Sequence, residues 1–207
     1  MLRIVRCTTD ADRAPHVEAH FSRVETRVRA LDGYAGGFVG RRGETRAVRY
    51  GLVTAWNGFA AMQAALGGNV LGAPFLDPVA QDVRDVQIEH FERMDVPPIG
   101  AGGEATVLRV YSGSIPHRQA EIFYSFTRDT AWPAVGRAEG LVAAHVGRRV
   151  GSDVHDVAFV TAWRSWDALV EAFPEAPTRP LVVIGDEDIV AGLHVEHFDV
   201  VPADPVA

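Results

Sequence analysis

The chain has 207 residues, of which 47% are hydrophobic and 23% are charged, so it has the composition of a globular protein with enough apolar material for a core. Its net charge is −7, and all 20 basic residues are arginine, which excludes Schiff-base chemistry through a lysine. The one cysteine excludes an internal disulfide, and no apolar run approaches the roughly 18 residues that span a membrane.

The charge is unevenly divided along the chain. Residues 1–100 carry 12 arginines and 12 acidic residues, whereas residues 101–207 carry 8 arginines and 15 acidic residues. An acidic second half argues against nucleic acid as a partner, since phosphate binding needs a basic surface. The start of the chain lacks the apolar stretch of a secretory signal. We therefore expect a cytoplasmic protein with neither nucleic acid nor membrane as a partner.

In the first half, the pattern predicts strand, helix, two strands, helix and strand. A helix from about Ala14 is indicated by apolar residues at three-and-four spacing, with Asp10 or Asp12 as a candidate cap and Pro15 in its first turn. The other predicted elements are a strand at Leu2–Cys7, a hairpin of Phe38–Arg42 and Ala47–Ala55, a short helix at Asn57–Leu66 and a last strand at Val86–Arg93.

The second half repeats this order. Its helical segment starts at Pro116, is about six residues longer than its counterpart, and is expected to break at Pro133. The other predicted elements are a strand at Thr106–Ser112, a hairpin of Leu141–Val150 and Val157–Ala162, a short helix at Ser165–Phe173 and a strand at Leu193–Val200.

Three motifs recur at a constant spacing of 107 residues, which indicates that the folding unit is about half the chain, present twice. The pairs are Gly40-Arg41-Arg42 with Gly147-Arg148-Arg149, Val53-Thr54-Ala55-Trp56 with Val160-Thr161-Ala162-Trp163, and Glu89-His90-Phe91 with Glu196-His197-Phe198.

A β-α-β-β-α-β order is that of the ferredoxin-like unit, whose four-stranded sheet has helices on one face only. We predict an α+β fold of two ferredoxin-like modules in tandem, residues 1–95 and 106–202, joined by a Pro/Gly linker at residues 96–105. The two antiparallel sheets are expected to face each other as an intramolecular dimeric α/β barrel. Association of two such chains into a further homodimer stays an open alternative.

The strand end Val53–Trp56, the polar pair Asn57-Gly58 and the helix that follows resemble the strand-to-helix junction of the antibiotic-biosynthesis-monooxygenase-like family of dimeric α/β barrels. The turn Gly33–Phe38 is similar to that family's connection between first helix and second strand, and the strands around His90 and His197 are similar to its fourth strand. The resemblance covers nearly the whole chain, twice. It implies the barrel fold and a monooxygenase-like oxidoreductase activity.

Haem is the candidate cofactor, because one branch of this family degrades it. That branch uses an Asn near the end of strand one, the Trp of strand three, and an axial His in or after the second helix. Trp56 and Trp163 match the Trp, but strand one offers no Asn, and no His lies between Trp56 and Val86 or between Trp163 and Ala191. We therefore predict no cofactor and no metal site, since a haem would lack its expected axial ligand.

The family's cofactor-free oxygenases act on polycyclic phenols or quinols, which supply the electrons. Such a site needs an apolar pocket, a base or hydrogen-bond donor for the substrate anion, and exclusion of water. The resemblance therefore implies oxygenation of a small aromatic, polyketide or quinol-type substrate. The expected substrate-binding residues are Trp163, Trp56, Tyr111, Tyr50 and Phe38.

Three histidines are the candidate catalytic groups, because imidazole titrates near neutral pH. His90 and His197 are matched, and on an alternating strand either each histidine or its neighbouring glutamate points inward. His145 occupies the position of Phe38 in the first half, so the two halves differ chemically. We expect one competent pocket, in the acidic second half.

Structural roles are the alternatives for these residues: the tryptophans close the core, and the histidines are solvated or bonded to backbone carbonyls. Two other functions also stay open. One is a non-catalytic binder of a small apolar ligand or haem. The other is a cyclase or isomerase that uses a histidine base without oxygen.

Overall fold

Across the residues that the structure describes, the fold is mixed α+β, as predicted, with a large antiparallel sheet and few helices. A computed structural model describes residues 1–97, 99–100, 103–151, 153–174 and 190–202. The chain divides into two compact units, Met1–His90 with Phe198–Ala207, and Phe91–His197. Within the described ranges, no helix has the length and apolar character needed to cross a membrane.

The first unit contains four strands in the order β4-β1-β3-β2. The end of β9 pairs with β2 through Asp199 and Val200. The elements are β1 (Leu2–Asp10), α1 (Ala14–Arg29), β2 (Tyr34–Gly43), β3 (Ala47–Trp56), α2 (Phe59–Ala65), a 3₁₀ helix (Pro74–Val79) and β4 (Val83–Arg93), of which the last three residues belong to the second unit.

Helix α1 begins at Ala14, as its apolar spacing predicts. Val17 and Phe21 are fully buried against the sheet, and burial of a side chain of this size contributes about 2 kcal/mol. The predicted aspartate cap is wrong: Arg13 occupies the N-cap position and no side chain caps the helix. Asp10 instead ends β1 and accepts a hydrogen bond from Arg84 at 2.7 Å.

The second unit contains strands in the order β9-β6-β8-β7-β5. Glu92 and Arg93 of β4 pair with Arg148 and Gly147 of β7. The elements are β5 (Ile99–Gly100), β6 (Val107–Pro116), a 3₁₀ turn (His117–Gln119), α3 (Ala120–Phe126), a π turn (Thr127–Ala131), α4 (Trp132–Gly136), β7 (Leu141–Val150), β8 (Val154–Trp163), α5 (Trp166–Ala172) and β9 (Ala191–Val200).

Part of the segment predicted as a linker is anchored to the second unit. Ile99 and Gly100 form β5 and pair with Ala144 and Ala143 of β7. The indole Nε1 of Trp132 donates to the Pro97 carbonyl at 2.7 Å. Pro98, Ala101 and Gly102 lie outside the described residues, so the boundaries at residues 95 and 106 stay a prediction.

Pro133 does not break the helical segment of the second unit, which corrects the sequence expectation. Helix α3, the π turn and α4 follow one another with helical dihedral angles at both junctions. A π turn shifts the hydrogen-bond ladder by one residue, and Pro133 then enters within the first positions of α4, where a missing N–H is tolerated.

The strand registers revise the size of the predicted insertion from about six residues to one. Leu2 pairs with Ala55 and Leu108 pairs with Ala162, so β1 and β6 correspond at a spacing of 106 while β3 and β8 correspond at 107. Helices α1 and α3 begin at Ala14 and Ala120, again 106 apart. The change of spacing therefore falls between Ala120 and the end of α4, where the π turn lies.

Gly33 and Gly140 mark the same turn in the two units. Their φ angles are +77° and +79°, a region that favours glycine. A Cβ added to either would lie 2.5 Å from the Cβ of an alanine, Ala61 or Ala168. Both glycines thus allow the loop to approach the short helix that follows β3 or β8.

Candidate functional site

A cavity of about 40 Å³ lies in the first unit between α1 and the sheet. We refer to it as the helix–sheet cavity. Its lining comes from β1, α1, β2, β3 and the 3₁₀ helix, and consists of Arg3, Val5, Val24, Glu25, Val28, Tyr34, Phe38, Val39, Leu52, Val53, Thr54 and Phe75. Apolar side chains dominate this lining, with a few polar groups among them, which is the usual make-up of a small-molecule site.

Arg3 is the charged group of the sheet side of this cavity. It pairs with Thr54 across β1 and β3 and is only 2% exposed. Its Nε donates to His90 Nε2 at 3.2 Å, one of its terminal nitrogens donates to the Gly72 carbonyl, and its guanidinium carbon lies 5.1 Å from the centre of the Phe75 ring. Burial lowers the pKa of Arg3 to about 10, so the group is still a cation at neutral pH.

The partners of Arg3 are neutral. Within the described ranges, no carboxylate forms an ion pair with it, although buried charges are normally paired or bound to a ligand. Arg6, on the opposite face of β1, does pair with Glu89 of β4. Arg3 is therefore a cation without a direct carboxylate partner among the described residues, in the wall of an apolar cavity.

Glu25 brings a carboxylate to the helix side of the same cavity. It is 8% exposed, and its Oε1 accepts a hydrogen bond from Arg29 at 2.6 Å. Its buried Oε2 has no hydrogen-bond partner among the residues that the structure describes. Burial, and then the charge of Glu25, raise the pKa of Tyr34 to about 12, which keeps that phenol protonated at neutral pH.

Trp56 lies beside the cavity and contacts its lining through Tyr34, with ring centres 5.6 Å apart in an edge arrangement. Its indole Nε1 donates to Thr54 Oγ1 at 3.0 Å. Trp163 makes the same bond to Thr161 at 2.8 Å, and both indoles are at least 98% buried. The threonine two residues earlier on the strand therefore fixes the ring of each tryptophan.

The other predicted residues of the first unit have different surroundings. His90 lies behind Arg3, on the face of β4 opposite to Glu89, whose carboxylate binds Arg6. Phe38 is part of the cavity lining. Tyr50 is outside that lining: its ring packs edge-on against Phe21, its hydroxyl donates to Glu18 at 3.1 Å, and burial raises its pKa.

The other predicted residues of the second unit, besides Trp163 of β8, lie on three more strands. His145 of β7 is 8% exposed, and its Nδ1 has no hydrogen-bond partner among the described residues. Burial, helped by the charge of Arg93, lowers the pKa of His145 to about 4. His197 of β9 packs against Trp166 with ring centres 5.0 Å apart, and Tyr111 of β6 packs against Phe159 at 5.5 Å.

Neither Arg3 nor Glu25 was predicted from the sequence as a site residue. Arg109 of β6 matches Arg3: it is also 2% exposed, pairs with a threonine on the next strand, and has its pKa lowered to about 10 by burial. The signal was present as Leu2-Arg3-Ile4 and Leu108-Arg109-Val110, at a spacing of 106. At a spacing of 107, Glu25 matches the buried Trp132, so the second unit has an indole in place of this carboxylate.

No family model matches this sequence, and no curated protein matches it either. Solved structures do match. A provisionally assigned monooxygenase from Fusobacterium nucleatum has a TM-score of 0.68 at 13% identity, covering 97% of this chain and 93% of that one. A provisionally assigned monooxygenase from Lactobacillus acidophilus has a TM-score of 0.66 at 12% identity, covering 97% and 94%. An anthrone oxidase-like protein has a TM-score of 0.57 at 13% identity, covering 96% and 90%.

A chlorite dismutase from Candidatus Nitrospira defluvii also matches, with a TM-score of 0.59 at 10% identity over 98% of this chain and 92% of that one. At these identities the likenesses show the fold alone. The chain thus shares the α+β fold of these proteins, which agrees with the predicted dimeric α/β barrel class.

The helix–sheet cavity does not fit a haem. Its volume of about 40 Å³ is well below the 300 Å³ or so at which ligand pockets begin, so a molecule as large as haem requires a far greater enlargement than a small aromatic molecule does. The ring nitrogens of two histidines near its lining are already used in hydrogen bonds: His20 Nε2 bonds to the Phe75 carbonyl at 2.6 Å, and His90 Nε2 accepts from Arg3. In the described part of the chain, no group of three or more His, Cys, Asp or Glu side chains is arranged to hold a metal.

Proposed function

We propose that the protein is a cofactor-independent oxygenase of a small aromatic or quinol-type substrate, and that the substrate binds in the helix–sheet cavity. The observation that carries this proposal is Arg3, a buried cation without a carboxylate partner in the wall of an apolar cavity. A phenolate or enolate oxygen would complete its pairing. The monooxygenase-like fold supports the choice of reaction.

The reaction needs no reductant, because the substrate supplies the electrons. For a methylene group activated by neighbouring aromatic rings and a carbonyl, one O₂ is consumed. One oxygen atom becomes the new carbonyl oxygen, and the other leaves as water with the two methylene hydrogens. Removal of the first proton forms an oxyanion, and a cation within about 4–6 Å lowers the pKa of such a group by about 1 to 3 units. Arg3 supplies that charge in a site shielded from water.

His90 positions Arg3. A guanidinium only donates hydrogen bonds, so His90 Nε2 accepts and the imidazole carries its proton on Nδ1. Catalytic roles for His145 and His197, and a working pocket in the second unit, stay predictions.

Substrate entry requires the cavity to enlarge. A cavity of about 40 Å³ holds a few water molecules, whereas one of about 150 Å³ is needed to bind benzene. The contacts of Arg3 with Gly72 and Phe75 connect the sheet to the segment before β4. An anionic substrate that takes over the hydrogen bonds of Arg3 would release this segment, so binding and opening are coupled.

Oxygen uptake with a dihydroxyanthrone and with a naphthohydroquinone tests the proposal. We expect uptake of one O₂ per product formed, and a fall in kcat/KM of at least about 100-fold in Arg3→Gln, as for the removal of other charge-stabilising donors. Arg109→Gln is the matched control in the second unit and should keep activity. Activity of Arg3→Gln within threefold of the parent, or no uptake with either compound, overturns the proposal. In the second case, quenching of tryptophan fluorescence would indicate a non-catalytic binder.

We also propose that the two units are copies of one ferredoxin-like module, at residues 1–95 and 106–202. The shared strand orders, the glycines at φ +77° and +79°, and the Trp–Thr hydrogen bonds support this duplication. The face-to-face arrangement of their sheets as an intramolecular barrel stays a prediction. Separate expression of residues 1–95 and 106–202 tests the duplication: two fragments that associate on mixing are expected, and fragments that neither fold nor associate contradict it.

A further inference from the structure

The oxygen Oε2 of Glu25 is a buried polar atom without a partner in the described part of the chain, on a residue that lines the helix–sheet cavity. The side chain of Glu25 is only 7% exposed. Leaving a buried acceptor unsatisfied destabilises the fold, and more so when the acceptor is charged. A carboxylate that destabilises the fold in this way is expected to have another role.

The fold itself does not need a carboxylate at this position. Glu25 pairs with Arg29 one helical turn later, but that bond uses only Oε1, and the Arg29 side chain is 55% exposed. At the matched position the second unit has Trp132, 3% exposed, which packs in the corresponding core. An apolar side chain can therefore fill this site between helix and sheet.

The cavity contains opposite charges on its two sides. Arg3 projects from the sheet, while Glu25 projects from α1, and both belong to the lining. They form no ion pair with each other. A neutral molecule that offers an acidic hydrogen to one group and an oxygen to the other would satisfy both at once.

We propose that Glu25 Oε2 is the base that removes the first proton from the substrate. This inference rests on the proposed oxygenase function and specifies its substrate class: an uncharged aromatic compound with an enolisable carbonyl or a phenol, whose acidic C–H or O–H faces α1. Substrates that carry a carboxylate at that end are excluded by repulsion from Glu25.

The proton and electron balance is complete with O₂ as the one co-reactant. Glu25 takes a proton from the methylene carbon, and the C–H electron pair moves into the ring system as an oxyanion beside Arg3. The anion reduces O₂ and combines with it, and the proton held by Glu25 completes the hydroperoxide. Loss of the second methylene proton then breaks the O–O bond, forms the carbonyl and releases hydroxide, which takes that proton to leave as water.

The test separates proton removal from oxygen chemistry by working without oxygen. The full chain is mixed anaerobically with a dihydroxyanthrone in D₂O, and exchange of its methylene hydrogens for deuterium is followed together with the absorbance of the anthrone anion. We expect exchange with the parent protein. In Glu25→Gln, which is nearly isosteric, we expect exchange and kcat to fall by about 10²–10⁴-fold while binding measured by tryptophan fluorescence is retained.

Two further variants make the result specific. Glu18→Gln changes a carboxylate on the same helix that is bound to Tyr50 and Arg41 outside the cavity lining, and it should exchange at the parent rate. Glu25→Asp keeps the carboxylate on a shorter side chain and should recover part of the exchange rate. It tests the role of Glu25 even where Glu25→Gln folds poorly. Parent-like exchange in Glu25→Gln overturns the role of Glu25. Absence of binding and oxygen uptake in the parent protein overturns the oxygenase function instead.

Discussion

His145 is predicted to make the protein less stable as the pH falls from 7.5 to 5. Its imidazole is 8% exposed, and burial, then Arg93, lower its pKa from 6.5 to about 4. Below pH 6.5 the unfolded chain binds a proton at this residue, whereas the folded chain binds it only near pH 4. The unfolded state therefore holds more protons in this range, and the free energy of unfolding decreases with falling pH.

The magnitude follows from the two pKa values. A shift of one unit corresponds to about 1.4 kcal/mol, so the full loss is about 3 kcal/mol, of which about 2 kcal/mol has occurred at pH 5. Other groups titrate in the same range, so the comparison must be between variants that differ only at this site. His145→Phe is the natural choice, because Phe38 occupies the matched position in the first unit.

The assay is urea unfolding of the parent and of His145→Phe at several pH values between 7.5 and 5. We expect the variant to gain about 2 kcal/mol over the parent across this range, whatever its stability at pH 7.5. His145→Leu should give a different offset but the same pH dependence. A difference between parent and variants that stays constant with pH would refute the reasoning, because it would mean that folding does not hold His145 neutral.

Three further changes test local features. Gly33→Ala should destabilise the protein by at least about 1–3 kcal/mol, because the residue has φ +77° and its new Cβ would meet Ala61, and an unchanged thermal midpoint would contradict this. Ser165→Ala should lower the free energy of unfolding in urea by about 1 kcal/mol, because the Ala168 N–H loses its 3.1 Å hydrogen bond to the Ser165 hydroxyl. An effect smaller than that of substituting an exposed serine would argue against this cap. Cys7 is 1% exposed and burial raises its pKa to about 12, so a thiol reagent at pH 8 should modify it only after unfolding; rapid reaction of the folded chain would exclude this environment.

Much of the fold could be predicted because apolar spacing and turn residues determine it locally. The start of α1 at Ala14 and the strand that ends at Trp56 follow from such patterns. Two orientations were open for His90, since an alternating strand has two faces and the sequence does not say which face is covered. The pairing of β4 with β1 decides it, because Glu89 meets Arg6 on one face and His90 meets Arg3 on the other.

The candidate site was harder to predict, because charged residues lie where a core normally has apolar side chains. Arginine and glutamate are almost never fully buried, so Arg3 and Glu25 read as surface residues in a single sequence. Aromatic residues were predicted to bind the substrate because of their chemistry. Tyr50, however, packs against α1, and Trp56 contacts the cavity lining only through Tyr34. The position of a side chain relative to a cavity depends on strand register, which composition does not specify.

The π turn at Thr127–Ala131 has a consequence for the ancestry of the chain. A residue inserted into a regular helix would rotate every later side chain by about 100° and move the wrong face toward the sheet. A wide turn absorbs that residue, so Gly140 still occupies the place of Gly33. If the units descend from one gene, a one-codon difference in length between the copies was tolerated here, and Glu25 and Trp132 differ just beyond that point. Comparison of the two copies therefore requires a gap inside a helix, where such gaps are ordinarily excluded.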